Sequence, residues 1–307
     1  MSEPLSRRVQ LVLILVAMAS SSLRSAAQPV TISVSEINHM VIHVSDLESS
    51  VKWYQRLFGL PITMRNQEKV VLRVGDNQFL TMTEASEPGI VSIGFAPRQF
   101  DLQSTHEAAK QHGAKSMREN QDGFQFLDPA GIAVQLYTQN DLNSLRLDPP
   151  KGLLPLRDYN HFTVFVPDAK RNVRFYQELF GLKIDTYQGP MPIIRVGKGN
   201  QFLAFVGGRT KAFVHHVCFA VDNFDPDRVL RLLSKYGVKP RKDKRGPAGP
   251  LESYVVMRMP NRGGAPEGTP ELYLTDPDGI LLQLQDVRYS GGGGYLGDRR
   301  GTPKREK

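Results

Sequence analysis

The sequence predicts an α+β protein in which four βαβββ units are arranged as two related domains. Residues 37–60 and 159–182 carry the same residue types in the same order, and His39 and His161 in these two copies lie 122 positions apart. In addition, short apolar strand patterns and single amphipathic helices follow one another in the same order within each half of the chain. Both observations indicate a domain duplication.

Each copy begins with an apolar strand that is followed by an amphipathic helix. Asp46 and Asp168 suit the N-cap positions of the two helices, and Gly59 and Gly181 suit the positions just beyond their ends. Further strands are predicted at residues 70–74 and 78–83 in the first copy, and at residues 193–196 and 201–206 in the second. The pattern of elements in each copy therefore predicts one βαβββ unit.

Each domain then contains a second unit of the same kind. The predicted elements are strands at residues 91–96 and 216–221, helices at 102–112 and 227–236, and final strands at 123–127, 132–137, 271–275 and 280–285. Between the last two strands of each domain lies an Asp-Pro-x-Gly turn, at residues 128–131 and 276–279, in which proline fixes one φ angle and glycine supplies another.

The pattern divides the chain at segments of changed composition. We expect an N-terminal domain at residues 36–140, a linker at 141–156 and a C-terminal domain at 157–288. Residues 240–268 are rich in Lys, Arg, Gly and Pro and predict a mobile loop, either a solvated connection or a lid over a site. Residues 289–307 contain four consecutive glycines and many basic residues, which predicts a flexible tail.

The first 27 residues are typical of a cleavable signal peptide. Arg7 and Arg8 precede a nine-residue apolar run at residues 11–19, and small residues at 25–27 follow it. Nine residues are too few to cross a bilayer as a helix, so no permanent membrane span is expected. We therefore expect an exported protein, periplasmic or extracellular, and both a twin-arginine and an ordinary secretion signal fit the pattern.

Composition limits the classes of partner. The net charge is +8, but five of these charges come from residues 1–27 and 298–307, and no basic stripe with interleaved aromatic residues occurs between them. We therefore expect no nucleic acid partner and instead expect a small-molecule substrate. Cys218 is the only cysteine, which excludes an intrachain disulfide. The sequence leaves open whether two chains form a homodimer.

Three repeated features resemble the vicinal-oxygen-chelate superfamily, which includes glyoxalases, bleomycin resistance proteins and extradiol dioxygenases. They are the histidine that opens a strand, the Tyr followed by Phe-Gly-Leu at a helix end, and the Asp-Pro-x-Gly turn before a last strand. The resemblance implies open, curved mixed sheets with helices outside and a divalent metal on the concave face. It also implies that only the C-terminal domain of a two-domain dioxygenase binds the metal.

The resemblance places the metal ligands position by position. His161 matches the first histidine ligand, His216 matches the second, and Gln283 stands where the family usually has glutamate. Two imidazoles and an oxygen donor suit Fe²⁺ or Mn²⁺. A glutamine carbonyl can supply the oxygen, but it brings no negative charge, so metal affinity is expected to fall.

The N-terminal domain departs further from the family pattern. It has His39 at the first position, Ser92 at the second and Gln135 at the third. Because only one of these is an imidazole, we expect this domain to be structural.

The resemblance also suggests residues that act on the substrate. Tyr273 lies in a segment similar to the extradiol signature and is expected to contact substrate, whereas Gly264, Ala265 and Pro266 occupy the places of its upstream histidine. Glu271 is expected on the same face as Tyr273, where it could supply the missing carboxylate. His215, which is adjacent to His216 in the sequence, is expected to point to the opposite face of the strand and not to coordinate the same ion.

Three functions are compatible with these residues. The favoured one is a metal-dependent, dioxygenase-like enzyme acting on a small oxygen-bearing organic molecule. A glyoxalase-type isomerase or lyase, with Glu271 as base, keeps the metal and changes the chemistry. The third is a metal-free protein that binds a small molecule, as resistance proteins of this family do.

Overall fold

The computed structural model describes residues 31–120, 123–138, 142, 148–242 and 245–301. The first domain contains strands β1 (Val34–Val44), β2 (Ile62–Arg65), β3 (Lys69–Gly75), β4 (Gln78–Glu84), β5 (Gly89–Pro97), β6 (Lys115–Asn120), β7 (Gly123–Leu127) and β8 (Ala133–Tyr137), with helices α1 (Leu47–Phe58) and α2 (Leu102–Gln111). The second contains strands β9 (Leu156–Phe165), β10 (Lys183–Gln188), β11 (Met191–Arg195), β12 (Phe202–Val206), β13 (Phe213–Val221), β14 (Lys239–Pro240), β15 (Glu252–Arg258), β16 (Thr269–Thr275) and β17 (Leu281–Asp286), with helices α3 (Ala169–Phe180) and α4 (Pro226–Lys235).

Each domain forms one mixed sheet, and the two sheets have the same topology. The strand order is β2-β3-β4-β1-β5-β8-β7-β6 in the first and β10-β11-β12-β9-β13-β17-β16-β15-β14 in the second. In the centre, β1 pairs antiparallel with β5 and β9 with β13, so that two βαβββ units meet along these strands. Each central strand has a parallel neighbour on its other side. The predicted α+β fold of four βαβββ units is confirmed.

The helix boundaries follow from their capping residues. The Asp46 carboxylate accepts a hydrogen bond from the Ser49 amide, and Asp168 accepts one from the Arg171 amide, as expected of N-caps. The residue after α1 is Gly59 with φ of +72°, a left-handed conformation that glycine adopts without a steric penalty. The sequence therefore specifies where these helices begin and end.

The two domains share one hydrophobic core, because the first helix of each domain packs against a strand of the other domain. The Phe58 ring of α1 lies 6.2 Å from the Phe219 ring of β13 in the other domain, and the Phe180 ring of α3 lies 5.3 Å from Phe95 of β5. One continuous cluster of buried apolar side chains includes residues of both domains. The sheet of the second domain is therefore stabilised in part by a helix of the first.

The two Asp-Pro-x-Gly turns are held by tyrosines of the opposite domain. The Asp276 carboxylate accepts from the Tyr54 hydroxyl at 3.1 Å. The Asp128 carboxylate accepts from the Tyr176 hydroxyl at 3.2 Å and from the Asn172 amide at 2.7 Å. Burial raises the pKa of Asp276 to about 7 and also raises the pKa of Asp128. These buried contacts lock each turn to the partner domain.

The segment at residues 240–268, predicted as a mobile loop, contains a strand that pairs with the sheet, so the expectation of a loop throughout is wrong. It contains β15, which pairs antiparallel with β16, and a short 3-10 helix at Pro260–Arg262. The strand has the β-branched and aromatic residues of a half-buried strand, but glycines and prolines on both sides dominate the composition of the segment.

The described part of the predicted flexible tail is also packed against the second domain. Tyr289 and Ser290 are buried, the Asn160 amide donates to the Tyr289 carbonyl at 2.7 Å, and the Thr269 hydroxyl donates to the Gly294 carbonyl at 2.8 Å. Glycines here allow the backbone to approach closely, as at Gly297, which has φ of +68°. Residues 289–301 therefore belong to the domain, and residues 302–307 lie outside the described residues.

The proposed signal peptide at residues 1–27 lies outside the described residues, as do residues 141 and 143–147 of the expected linker. Export therefore stays a prediction. In the part of the chain that the structure describes, no helix is long and apolar enough to span a membrane.

We predict that Tyr54→Phe lowers the free energy of unfolding by about 1–3 kcal/mol, because one oxygen of the buried Asp276 carboxylate loses its donor. Tyr176→Phe is the matched control and should cost less, because Asn172 still donates to Asp128. Urea denaturation followed by the fluorescence of Trp53, which lies against Tyr54, measures both variants. Equal losses would contradict the proposed interdomain lock.

Candidate functional site

The five predicted site residues line one cavity of about 170 Å³ in the second domain. His161 comes from β9, His216 from β13, Glu271 and Tyr273 from β16, and Gln283 from β17. These strands are neighbours in the sheet, in the order β9-β13-β17-β16. The sheet topology therefore converts five positions spread over more than one hundred residues into one cluster.

The two imidazoles are close and differ in orientation. The ring centroids of His161 and His216 are 5.5 Å apart, with an angle of 77° between the ring planes. Burial lowers the pKa of His161 to about 3 and the pKa of His216 well below its ordinary value. Both rings are therefore neutral at pH 7 and each has a nitrogen lone pair.

The tautomer of His161 is set by its neighbour in sequence. The Asn160 amide nitrogen donates to the Tyr289 carbonyl, so that the amide oxygen of Asn160 faces Nδ1 of His161 at 2.8 Å. Nδ1 must then carry the proton, and Nε2 keeps the lone pair. This is the tautomer that a metal ligand bound through Nε2 requires.

His216 has a different partner, which the sequence did not predict. Its Nδ1 lies 2.8 Å from Nδ1 of His215, and the His215 ring stacks on Phe165 with a centroid separation of 4.4 Å. The expectation that His215 faces away from the site is wrong, because a β-bulge lies between Val214 and His216. When His216 donates in this contact, its Nε2 carries the lone pair.

Gln283 lines the same cavity as the two imidazoles and lacks hydrogen bonds. It is 1% exposed, and neither atom of its amide has a hydrogen-bond partner among the described residues; the same is true of His216 Nε2. Buried polar groups without partners are rare and costly, which often marks a site for an ion or ligand. The described residues contain no group of three or more His, Cys, Asp or Glu able to hold a metal, so a metal here needs the Gln283 oxygen.

Glu271 is already engaged. Its Oε1 accepts from Arg258 Nε at 2.8 Å and from the Tyr289 hydroxyl at 3.1 Å, and its Oε2 accepts from the Tyr273 hydroxyl at 3.3 Å. Arg258 is fully buried and also donates to the carbonyl of Gly292. The role of Glu271 as base or replacement ligand stays a prediction, while both of its oxygens already accept hydrogen bonds.

Two residues of this site were missed from the sequence. Arg258 lies in the segment predicted as a loop, and Tyr289 opens the segment predicted as a tail. Tyr289 stacks against His161 at 5.7 Å between centroids, and Phe202 stacks against the same ring at 4.2 Å. The alternation of residues along β15 is the one signal that could have indicated Arg258.

The corresponding positions of the first domain are occupied differently. The His39 ring stacks on Tyr137 with 3.8 Å between centroids, and burial lowers the pKa of His39 to about 3. Ser92 and Gln135 are buried on the neighbouring strands. Only one of these three residues, His39, has an imidazole side chain. A purely structural role for this domain stays a prediction.

Comparison with known proteins identifies relatives of both domains. The family model "Glyoxalase/Bleomycin resistance protein/Dioxygenase superfamily" matches residues 36–144 and 158–284. A variant of homoprotocatechuate 2,3-dioxygenase from Brevibacterium fuscum has a TM-score of 0.62 at 17% identity, covering 91% of this chain and 76% of that one. The native enzyme from Arthrobacter globiformis has a TM-score of 0.59 at 17% identity, covering 89% and 87%. These structures share the fold, and no curated protein sequence matches this chain.

We predict that Glu271→Gln lowers the free energy of unfolding by about 3–5 kcal/mol, because it leaves the buried Arg258 guanidinium without an opposite charge. The double variant Arg258→Met with Glu271→Gln should recover much of this loss, since it removes both charges. Asp185→Asn is the control at the more exposed Arg195 pair and should cost about 1 kcal/mol or less. Urea denaturation of the three variants gives the comparison, and a double variant as unstable as Glu271→Gln would contradict the ion-pair account.

Proposed function

Because the chain belongs to the glyoxalase/bleomycin resistance protein/dioxygenase superfamily, we propose that it is a metal-dependent, dioxygenase-like enzyme acting on a small oxygen-bearing organic molecule. In this proposal His161, His216 and Gln283 hold Fe²⁺ or Mn²⁺. The main support for this proposal is that two neutral, buried imidazoles line one cavity with an amide that has no hydrogen-bond partner. Buried polar atoms without partners are uncommon in protein cores. The first domain also has them, at His39 and Ser92, but it lacks the second imidazole.

The donor set suits the metal and leaves room for substrate. Two imidazole nitrogens and one amide oxygen match the preference of first-row divalent ions for nitrogen and oxygen ligands. When bound, such a cation acts as a Lewis acid that polarises an oxygen-bearing substrate. Three protein ligands leave coordination positions open for that purpose.

The chain's own residues would orient the substrate. The Tyr273 hydroxyl donates to Glu271, so its oxygen presents an acceptor to the cavity. Burial and the nearby Glu271 carboxylate raise the pKa of Tyr273 well above its ordinary value, so that it stays protonated at neutral pH. Tyr273 therefore orients a substrate hydroxyl by accepting its hydrogen bond and does not serve as a base.

The size and lining of the cavity favour an aromatic substrate. A cavity of roughly 150 Å³ can hold one benzene ring, and this cavity measures about 170 Å³. Aromatic side chains of Phe165, Tyr273 and Tyr289 form part of its wall. The similarity in fold to homoprotocatechuate 2,3-dioxygenases supports a catechol as the first substrate class to examine.

We predict that His161→Ala and His216→Ala each weaken Mn²⁺ binding by at least about tenfold, because each change removes a nitrogen donor. In metal sites, mutation of residues that only support the ligands already lowers metal affinity by about 10–100-fold. His39→Ala is the matched control, because His39 occupies the corresponding position of the first domain. Titration of the full chain with Mn²⁺, followed by the electron paramagnetic resonance signal of free Mn²⁺, measures all three. Equal affinity in the wild type and both site variants would rule out the proposed ligands.

We also predict that the Fe²⁺-loaded chain consumes O₂ with catechols, and that Tyr273→Phe reduces kcat/KM by about tenfold or more through the loss of one orienting hydrogen bond. An oxygen electrode measures uptake, and metal content should be unchanged in this variant. Metal-dependent turnover without O₂ uptake would instead favour the glyoxalase-type isomerase or lyase. Ligand binding without any metal would favour a binding protein.

A further inference from the structure

The charges that line the cavity do not balance. The charged side chains in its wall are Arg262 and Glu271. Glu271 forms a buried ion pair with Arg258, so its negative charge is already compensated. Arg262 is exposed at the cavity and has no ion-pair partner among the described residues. The wall therefore carries one uncompensated positive charge.

Two guanidinium groups near His161 are already paired with carboxylates. Arg258 lies over the Tyr289 ring at 5.7 Å and Arg195 over the Phe202 ring at 5.5 Å, and both rings stack on His161. Glu271 pairs with Arg258 at 2.8 Å and Asp185 pairs with Arg195 at 2.5 Å, so neither pair supplies a negative charge that could balance a cation.

Gln283 cannot correct this imbalance. Its amide is neutral, and its position on β17 places it beside Tyr273 of β16 and Cys218 of β13, whose side chains are ordinarily uncharged at neutral pH. Glu271 could compensate a cation only by leaving Arg258 buried and unpaired, which is strongly unfavourable. A divalent cation held by two imidazoles and an amide would thus bring two charges that this wall does not neutralise.

We propose that an anionic ligand bound in the same cavity supplies the missing negative charge, so that the divalent cation and the anion bind this chain with positive cooperativity. The inference rests on the proposed function, because it assumes the cation site of His161, His216 and Gln283. Arg262 attracts the anion at the cavity wall, and the cation attracts it from within. The ligand class is a small oxyanion, singly or doubly charged, such as a carboxylate or a phenolate.

The experiment measures Mn²⁺ affinity of the full chain with and without oxalate, by the electron paramagnetic resonance signal of free Mn²⁺, after correction for Mn²⁺–oxalate association in solution. Oxalate should raise the Mn²⁺ affinity of the wild type by about 5–150-fold, and Mn²⁺ should raise oxalate affinity by the same factor because linkage is reciprocal. Gln283→Glu should bind Mn²⁺ at least about tenfold more tightly without oxalate and show a smaller coupling factor.

Two matched variants separate this effect from general electrostatics. Gln135→Glu places a buried carboxylate at the corresponding position of the first domain and should leave Mn²⁺ affinity unchanged. Arg262→Gln should weaken oxalate binding to the Mn²⁺-loaded chain, without lowering Mn²⁺ affinity in the absence of oxalate. Arg171→Gln, an exposed change on α3, should leave both affinities unchanged.

The outcomes distinguish this inference from the proposed function. Wild-type Mn²⁺ affinity that does not respond to oxalate, or a Gln283→Glu variant with the same coupling factor as the wild type, would overturn the cooperativity. If the wild type fails to bind Mn²⁺ even with oxalate while Gln283→Glu binds it, the metal site stands and the cooperativity is wrong. If neither protein binds Mn²⁺ under any of these conditions, the proposed function fails as well.

Discussion

The antiparallel pairing of β9 with β13 is the constraint on which the site depends. It places His216 opposite Thr163 and Cys218 opposite His161, and the parallel pairing of β13 with β17 then places Gln283 beside Cys218. Because side chains alternate between the two faces of a sheet, a slip of one residue in either pairing would move one of these side chains to the opposite face. The bulge after Val214 is the local departure from this rule, and it is what brings His215 into contact with His216.

The first domain supports that register through contacts between the domains. Its helix α1 packs on β13 through Phe58 and reaches the turn between β16 and β17 through Tyr54, so two strands of the site are held from outside. The reciprocal contacts of α3 with Asp128 make the two domains interdependent. The first domain, which has Ser92 at the second histidine position, thus contributes packing and a buried hydrogen bond to the sheet beside it.

Much of the fold and part of the site could be predicted from the sequence. The physical reasons for this are different for the fold and for the site. The repeat, the Asp N-caps and the glycines past the helix ends are local signals, so the four units were predicted correctly. Four of the site residues were placed by resemblance and Glu271 by its spacing from Tyr273, and all five line one cavity. Arg258, Tyr289 and the orientation of His215 were missed, because a strand between glycine-rich segments, a packed glycine-rich end and a β-bulge have no strong local signal in a single sequence.

The same comparison explains why Glu271 is not a simple substitute for a ligand carboxylate. Sequence spacing correctly placed it in the cavity with Tyr273, yet spacing carries no information about Arg258, which comes from a strand that the sequence did not predict. A buried carboxylate with a buried guanidinium at 2.8 Å contributes almost no net charge to its surroundings. With Gln283 neutral as well, the protein leaves the charge of a bound cation to be balanced by whatever occupies the cavity with it. Charge, more than shape alone, would then decide which small molecules this site retains, since a neutral molecule of the same size leaves the cation uncompensated.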